Sequence, residues 1–356
     1  MALRRTLYTL NSLKNPVCFG AGLVALDVIL NGNPATPPKL SAGGSCGNVL
    51  SILAYLGWDS YPIARLSNNL AGQELVRDLE RWHIHKDHLS INKDGSTPII
   101  IHRIKRDKQG KPIHRFEFRD PDTGDWLPQF KPITKNIAAE VLKGNTVPKV
   151  FYFDRMNPGT LELARNLKEK GTIIFFEPSS IKDKDQFEQF LGVTDILKYS
   201  HERIPDFKSH FRSPRCALEI ETRGKEGLVY RSKIQSTPSR WQSINGFNIG
   251  EIIDAAGAGD WCTAGIIHSL CFDGQSTFKK TGIRRIKQAL EFGSALGAMN
   301  CLYDGARGLM YHYTSQKLQD EVDRFIIDRL LDTHQIVKSP RIDISTHLKF
   351  AELYNI

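Results

Sequence analysis

The sequence predicts an α/β fold: a doubly wound, mostly parallel sheet flanked by helices. From Val150 onward, apolar and amphipathic runs alternate as strand Val150–Phe153, helix Pro158–Lys170, strand Thr172–Phe176, helix Asp185–Leu191 and strand Ile196–Lys198, joined by short loops. That alternation builds βαβ units, whose crossovers cover a parallel sheet on both faces. The length agrees, since 356 residues fill one large α/β domain or two medium ones. A hydrophobic content of 40% marks an ordinary globule with a sizeable core.

Composition excludes several other classes. No apolar run approaches the roughly 18 residues that a membrane span needs. The start of the chain has basic residues but no apolar core leading to a cleavage site, so a cytoplasmic protein is expected. Six cysteines (Cys18, Cys46, Cys216, Cys262, Cys271, Cys301) lie far apart, which predicts reduced core thiols rather than disulfides or a zinc site. His83, His85 and His88 lack a partner Cys or carboxylate pair and are expected in a solvated turn. The net charge of +9 favours anionic ligands. Its clusters at His102–Arg115 and Lys279–Lys287 carry no aromatic platform, so no nucleic-acid partner is expected.

Val17–Leu30 predicts a buried strand, a glycine break and a second short strand. Its G-A-G-L-V-A formally matches a dinucleotide fingerprint. However, the Asn31–Pro38 segment breaks any helix, and no acid stands between Asp27 and Asp59. Ser41–Leu56 brings Gly43 and Gly44 next to a helix that Asn48 is expected to open, with Gly57 and Trp58 closing it. A strand, a loop (Ser67–Gly72) and an amphipathic helix follow. Thr97–Arg119 predicts a β-hairpin turning at Asp107–Pro112, with Phe116 and Phe118 on an apolar face. Arg155, Glu177 and Ser200 each follow an apolar strand run, which places them at the carboxyl edge where such sheets bind ligands. Cys216–Thr222 is a further strand, Ile283–Tyr303 a long helix with Asn300 on its apolar side, and Gln319–Leu331 an outer amphipathic helix.

The most informative stretch is Ile252–Gly265, I-I-D-A-A-G-A-G-D-W-C-T-A-G. Gly257, Ala258 and Gly259 make a tight turn in which backbone N–H groups can crowd one point. A helix starting there adds its unpaired N–H groups and dipole, an anion site. Asp260 at its mouth suits phosphoryl transfer, where a base takes a hydroxyl proton while amides hold the transferring charge. Asp260 as a plain helix cap is the ordinary alternative.

D-A-A-G-A-G-D resembles the D-T-x-G-A-G-D signature of the ribokinase-like, PfkB-type carbohydrate kinases, departing at Ala255. The resemblance spans roughly residues 17–312 as a kinase domain, with an N-terminal extension (1–16) and a C-terminal helical tail (313–356) outside it. It implies Asp260 as base, with the amides of Gly257, Ala258 and Gly259 as anion hole. Asp27, Gly43, Gly44 and Asn48 are then acceptor-binding residues, and segments near 28–42 and 97–119 form a small β-lid. Ser200, Thr222, Gly224, Gly227 and Asn300 would bind the nucleotide. Glu202 would be the Mg²⁺ carboxylate, although the Asn of the family's N-x-x-E motif is missing. Asn69 stands where the family has Asp. The implied cofactors are ATP, Mg²⁺ and a monovalent cation such as K⁺ near Asp254. The implied partners are a sugar or nucleoside substrate and a second copy through the lid.

The chain lacks the P-loop and protein-kinase motifs. Two functions remain: ATP-dependent phosphorylation of a hydroxyl on a sugar, sugar phosphate or nucleoside, or a retired member of the fold that senses such a ligand.

Overall fold

The computed structural model describes residues 14–30, 38–106, 112–234, 240–250, 252–328 and 350–354. The chain enters as β1 (Val17–Ala21) and then crosses into a smaller sheet as β2 (Ala25–Leu30) and β3 (Lys39–Gly43). It returns through α1 (Gly44–Tyr55), β4 (Asp59–Leu66), α2 (Leu70–Arg81) and β5 (Leu89–Ile91). A hairpin of β6 (Ile99–Arg106) and β7 (Pro112–Glu117) completes the small sheet. Next come α3 (Lys135–Lys143), β8 (Val150–Phe153), α4 (Pro158–Glu169), β9 (Ile173–Phe176), α5 (Lys184–Val193) and β10 (Ile196–Ser200). A short α6 (Phe207–His210) leads to β11 (Leu218–Thr222), β12 (Gly227–Ser232) and β13 (Gln242–Asn245). The remaining helices are α7 (Ala258–Cys271), α8 (Gln275–Phe278), α9 (Ile283–Asn300), α10 (Gly308–His312), α11 (Ser315–Asp328) and α12 (Phe350–Tyr354).

The large sheet runs β13-β12-β11-β10-β9-β8-β1-β4-β5 and is parallel from β5 to β11, with an antiparallel edge of β12 and β13. The expected strands at 150–153, 172–176 and 196–198 are present to within two residues. VFYF and IIFF are buried at every position, as a sheet covered on both faces requires. One core layer packs α1, α7 and α9 on one face, and the other packs α3, α4 and α5 on the opposite face. The chain moves outward from β1 to β4 and β5, then resumes at β8 on the other side of β1. The crevice at that reversal is where such sheets bind ligands.

The second sheet, β3-β2-β6-β7, forms from the two segments expected near 28–42 and 97–119. Residues 31–37 and 107–111, inside the expected lid segments, lie outside the described residues. Phe116 and Phe118 are 51% and 48% exposed, so the hairpin's apolar face is not packed against the rest of the chain. All six cysteines are buried and free. His85 stacks on Tyr61 and His88 packs edge-on to Phe19. Among the described residues no cluster of metal-ligating side chains forms, and no helix is long and apolar enough to cross a membrane.

Three helix starts differ from expectation. α1 begins at Gly44, so Asn48 lies in its second turn instead of opening it. The Leu23 carbonyl accepts the N–H groups of Cys46 and Gly47 at 3.1 and 3.2 Å, which nucleates the helix early. Gly44 is needed there, at φ +73° with its α-carbon so close that a Cβ would meet Leu23 O at 2.4 Å. α7 begins at Ala258, which leaves Asp260 within its first turn. The outer helix starts earlier than expected, at Ser315, and buries Leu318, Val322 and Phe325. Residues 329–349 of the tail lie outside the described residues, and α12 packs beside α2.

α7 and α9 approach closely through glycine. A Cβ on Gly293 would meet the Cys262 carbonyl at 2.5 Å and Ile266 Cγ1 at 2.7 Å. Gly293→Val should therefore cost about 1–3 kcal/mol by overpacking, seen as a lowered midpoint of chemical denaturation. An unchanged midpoint would show that the two helices do not meet at this distance.

Candidate active site

The site is built on the turn that leads into α7. Gly257 adopts φ +73°, and a Cβ there would meet Ala306 O at 2.2 Å, so only glycine fits. Asp254, buried, fixes the turn from one side: its carboxylate accepts the N–H of Ala256 at 2.7 Å and of Gly305 at 2.8 Å. Asn300 fixes it from the other, donating to the carbonyls of Ala256 (2.9 Å) and Gly305 (3.3 Å) and accepting from Leu309 N–H (3.3 Å). Among the described residues no internal acceptor takes the N–H of Gly257 or Gly259. Those amides and the positive end of α7 form an anion site. Ala255 is exposed beside it, where a lost threonine hydroxyl leaves the turn's own bonds intact.

Asp260 sits at the mouth of this turn, and Asn48 of α1 donates its amide N–H to Asp260 Oδ2 at 2.8 Å. The two residues are 212 positions apart, so the bond joins the α7 turn to α1. Beneath them, Glu177 at the end of β9 accepts from Thr263 (2.6 Å), Tyr152 (3.3 Å) and Lys198. Lys198 also reaches the carbonyl of Gly259 at 3.3 Å. Burial pushes Asp260 up to about 8, and the Glu177 carboxylate adds to the rise against the Asn48 amide. Burial works against the Lys198 ammonium, but Glu177 outweighs it and holds Lys198 above its usual range.

The acceptor side lies under the small sheet. Asp27 of β2 is 5% exposed, and burial raises it to about 7, with Arg307 opposing and Asp78 adding. Gly43 makes room for it, since a Cβ there would fall 2.0 Å from Asp27 Oδ2. Asp27 Oδ1 and Asn48 Oδ1 are both buried without a hydrogen-bond partner, and both residues line one pocket with Ser41, His102 and Arg307. Unsatisfied acceptors at a pocket wall are what a polyhydroxyl ligand would complete. At the crevice floor, Asp154 accepts the Leu23 N–H at 2.9 Å and pairs with Arg155 at 2.9 Å.

The other expected residues separate. Thr222 ends β11 and donates to Tyr199 O at 3.3 Å, while Gly224 stands at φ +56° with open space around it. Gly227, at φ +96°, opens β12 and packs against β13, where a Cβ would meet Ile244 O at 2.1 Å. Asn300 is a correction. It is fully buried with both amide ends used inside the protein, so it shapes the turn and offers a nucleotide nothing. Ser200 ends β10, and Glu202 is exposed in the turn beyond it. Asn69 serves as the N-cap of α2, accepting from Gly72 N–H at 3.0 Å. The sequence reading missed Asp78, Asp154, Lys198 and Arg307. Of these, Asp154 had the signal shared by Arg155 and Glu177, a position just past a strand.

A helix-borne anion turn, a carboxylate beside it and a polar pocket at the switch point of a lidded α/β sheet define the ribokinase-like class of phosphotransferases. Comparison with known proteins agrees. The pfkB family carbohydrate kinase pattern matches residues 18–311, and the chain belongs to that family. It is 24% identical over 319 residues to the probable chloroplastic fructokinase-6 of Arabidopsis thaliana, covering 82% of this chain and 78% of that protein. It is 22% identical over 300 residues to the ATP-dependent ribose-1-phosphate kinase of Halopiger xanaduensis, covering 82% and 88%. Its fold matches the Methanocaldococcus jannaschii nucleoside kinase with a TM-score of 0.60 at 17% identity, over 87% of this chain and 100% of that one.

The raised Asp260 has a consequence for stability. Between the ordinary carboxylate value near 4 and about 8, the folded protein holds a proton that the unfolded chain releases. Stability from this group is therefore lost as pH rises through that window. The Tm of Asp260→Asn relative to wild type should climb in the variant's favour between about pH 5 and pH 9. A difference that does not change with pH would show that Asp260 is ionised throughout.

Proposed function

We propose that this carbohydrate kinase transfers the γ-phosphoryl group of ATP to a hydroxyl of a sugar, sugar phosphate or nucleoside, with Asp260 as the base. The observation that supports this is the Asn48–Asp260 hydrogen bond, which joins the carboxylate beside the anion turn to a side chain that lines the pocket. An alcohol is too weak an acid to be ionised beforehand by a carboxylate. Asp260 therefore takes the proton as the phosphorus–oxygen bond forms, while the free amides of Gly257 and Gly259 hold the phosphoryl charge. The Ala258 N–H, expected to join them, instead donates to the Ala255 carbonyl at 3.3 Å. Asp27 and Asn48 orient the attacking compound through the acceptor atoms they leave open.

The nucleotide would lie over the carboxyl ends of β10 and β11, along Ser200, Thr222 and Gly224. Among the described residues no three-carboxylate cage exists, which suits a Mg²⁺ ion carried on the phosphates and reached by one or two carboxylates. Glu202 is the exposed carboxylate assigned to it through water, and the ion would neutralise phosphate charge. A monovalent cation near Asp254 would rest on loop carbonyls, because both carboxylate oxygens already accept amides. The half-exposed Phe116 and Phe118 give a lid-to-lid homodimer an apolar face to bury.

Asp260→Asn keeps size and polarity but cannot take the proton. It should cut kcat by roughly 10²–10⁴-fold while both ligands still bind by calorimetry. Equal turnover would mean a misassigned base, and a wild type that binds both ligands without transfer would be a sensor. Gly224→Asn tests the nucleotide end. Asn tolerates positive φ and the space is open, so the variant should fold and show a raised KM for ATP. An unchanged KM would remove this turn from the nucleotide site.

A further inference from the structure

The acceptor pocket also holds two cations, Arg307 and Lys39, whose chemistry is not accounted for by gripping hydroxyls. Arg307 is 3% exposed. One side of its guanidinium, Nη2, is bound by the Asp78 carboxylate, which also accepts the Ala42 N–H at 2.9 Å. The other side, Nη1, is buried with no hydrogen-bond partner, and Arg307 lines the same pocket as Asp27 and Asn48. Lys39, at the start of β3, lines it too, with its ammonium 4.8 Å from the centre of the Tyr311 ring.

Burial holds Lys39 below its usual range, and repulsion from Arg307 adds to that, so the two cations feel each other across the pocket. Asp78 and Asp304 offset part of this charge. Asp78, however, is engaged by Arg307 and the Ala42 amide, which leaves a buried donor beside a second cation. A buried guanidinium N–H without an acceptor is costly. The group that completes it with least loss is an anionic oxygen, which Arg binds by charge-assisted hydrogen bonds.

We propose that the acceptor carries an anionic group, a phosphate or a carboxylate, besides the hydroxyl that is phosphorylated, and that Arg307 and Lys39 bind it. The orphaned Arg307 N–H, buried at the wall of the pocket that Asn48 joins to Asp260, carries this inference. It rests on the kinase reading only for which hydroxyl reacts.

The test is a matched panel with the full chain: ribose against ribose 1-phosphate and 5-phosphate, fructose against its 1- and 6-phosphates, gluconate, and inosine. Two readouts are taken, kcat/KM with ATP and ligand-induced thermal stabilisation without it. At least one anionic member should exceed its neutral counterpart by about 100-fold in kcat/KM, the scale of two charge-assisted hydrogen bonds. Gluconate against the phosphates separates a carboxylate from a phosphate ligand. Lys39→Gln should raise KM for the anionic compound about tenfold and lower its thermal stabilisation, with a much smaller effect on the neutral one.

Arg307→Gln should do so more strongly. Because it leaves Asp78 buried and unpaired, it is paired with the Asp78→Asn/Arg307→Gln double variant. Preference for a neutral sugar or nucleoside overturns the proposal while leaving the kinase reading intact. So does the absence of stabilisation by any anionic member. Stabilisation by an anionic compound that depends on Arg307 and Lys39, without phosphoryl transfer, supports this proposal and sinks the kinase reading instead.

Discussion

Both halves of the site depend on one buried knot, the Asp254 carboxylate and the Asn300 amide holding the 254–257 turn against residues 305–309. Four of these hydrogen bonds link Ala256 and Gly305, so the anion turn and the loop that supplies Arg307 are set by the same two side chains. Gly257 must be glycine because Ala306 O occupies the space of a Cβ. Trp261 adds a further tie, donating its indole N–H to that same carbonyl at 3.1 Å. A preorganised set of amides of this kind stabilises charge without reorganising at the moment of reaction.

The electrostatics around Asp260 follow from what lies under it. Glu177 and Lys198 form a buried ion pair at the ends of two parallel strands, and Lys198 reaches the backbone of Gly259. Removing one partner would strand the other charge, so such pairs hold geometry more than they add stability. Here the pair lies beneath the turn, and Glu177 raises the proton affinity of Asp260. The Asn48 amide and the Lys198 ammonium oppose that rise and favour the ionised form.

Much of the fold was legible because its signals are local. Apolar runs of four residues at Val150–Phe153 and Ile173–Phe176 can only be strands buried on both faces. Asp183 and Asn157 cap the helices that follow them, each accepting a backbone N–H at 3.0 Å. The start of α1 was misplaced because its nucleating carbonyl, Leu23, comes from a different segment. Asn300 shows the same limit: a buried Asn reveals its partners only when the loops are folded.

The sequence by itself determined the anion turn, its acid and the parallel sheet that presents them, since Ile252–Gly265 encodes turn, helix start and carboxylate within fourteen consecutive residues. Only the tertiary structure decided what that acid touches. Asn48 is 212 positions away, and Asp78 and Arg307 are 229 apart, so neither pair leaves a periodic or spaced signature. A hydrogen bond between such distant groups exists only once the sheet and lid have brought them within 3 Å, because its energy falls away within a few tenths of an ångström of contact.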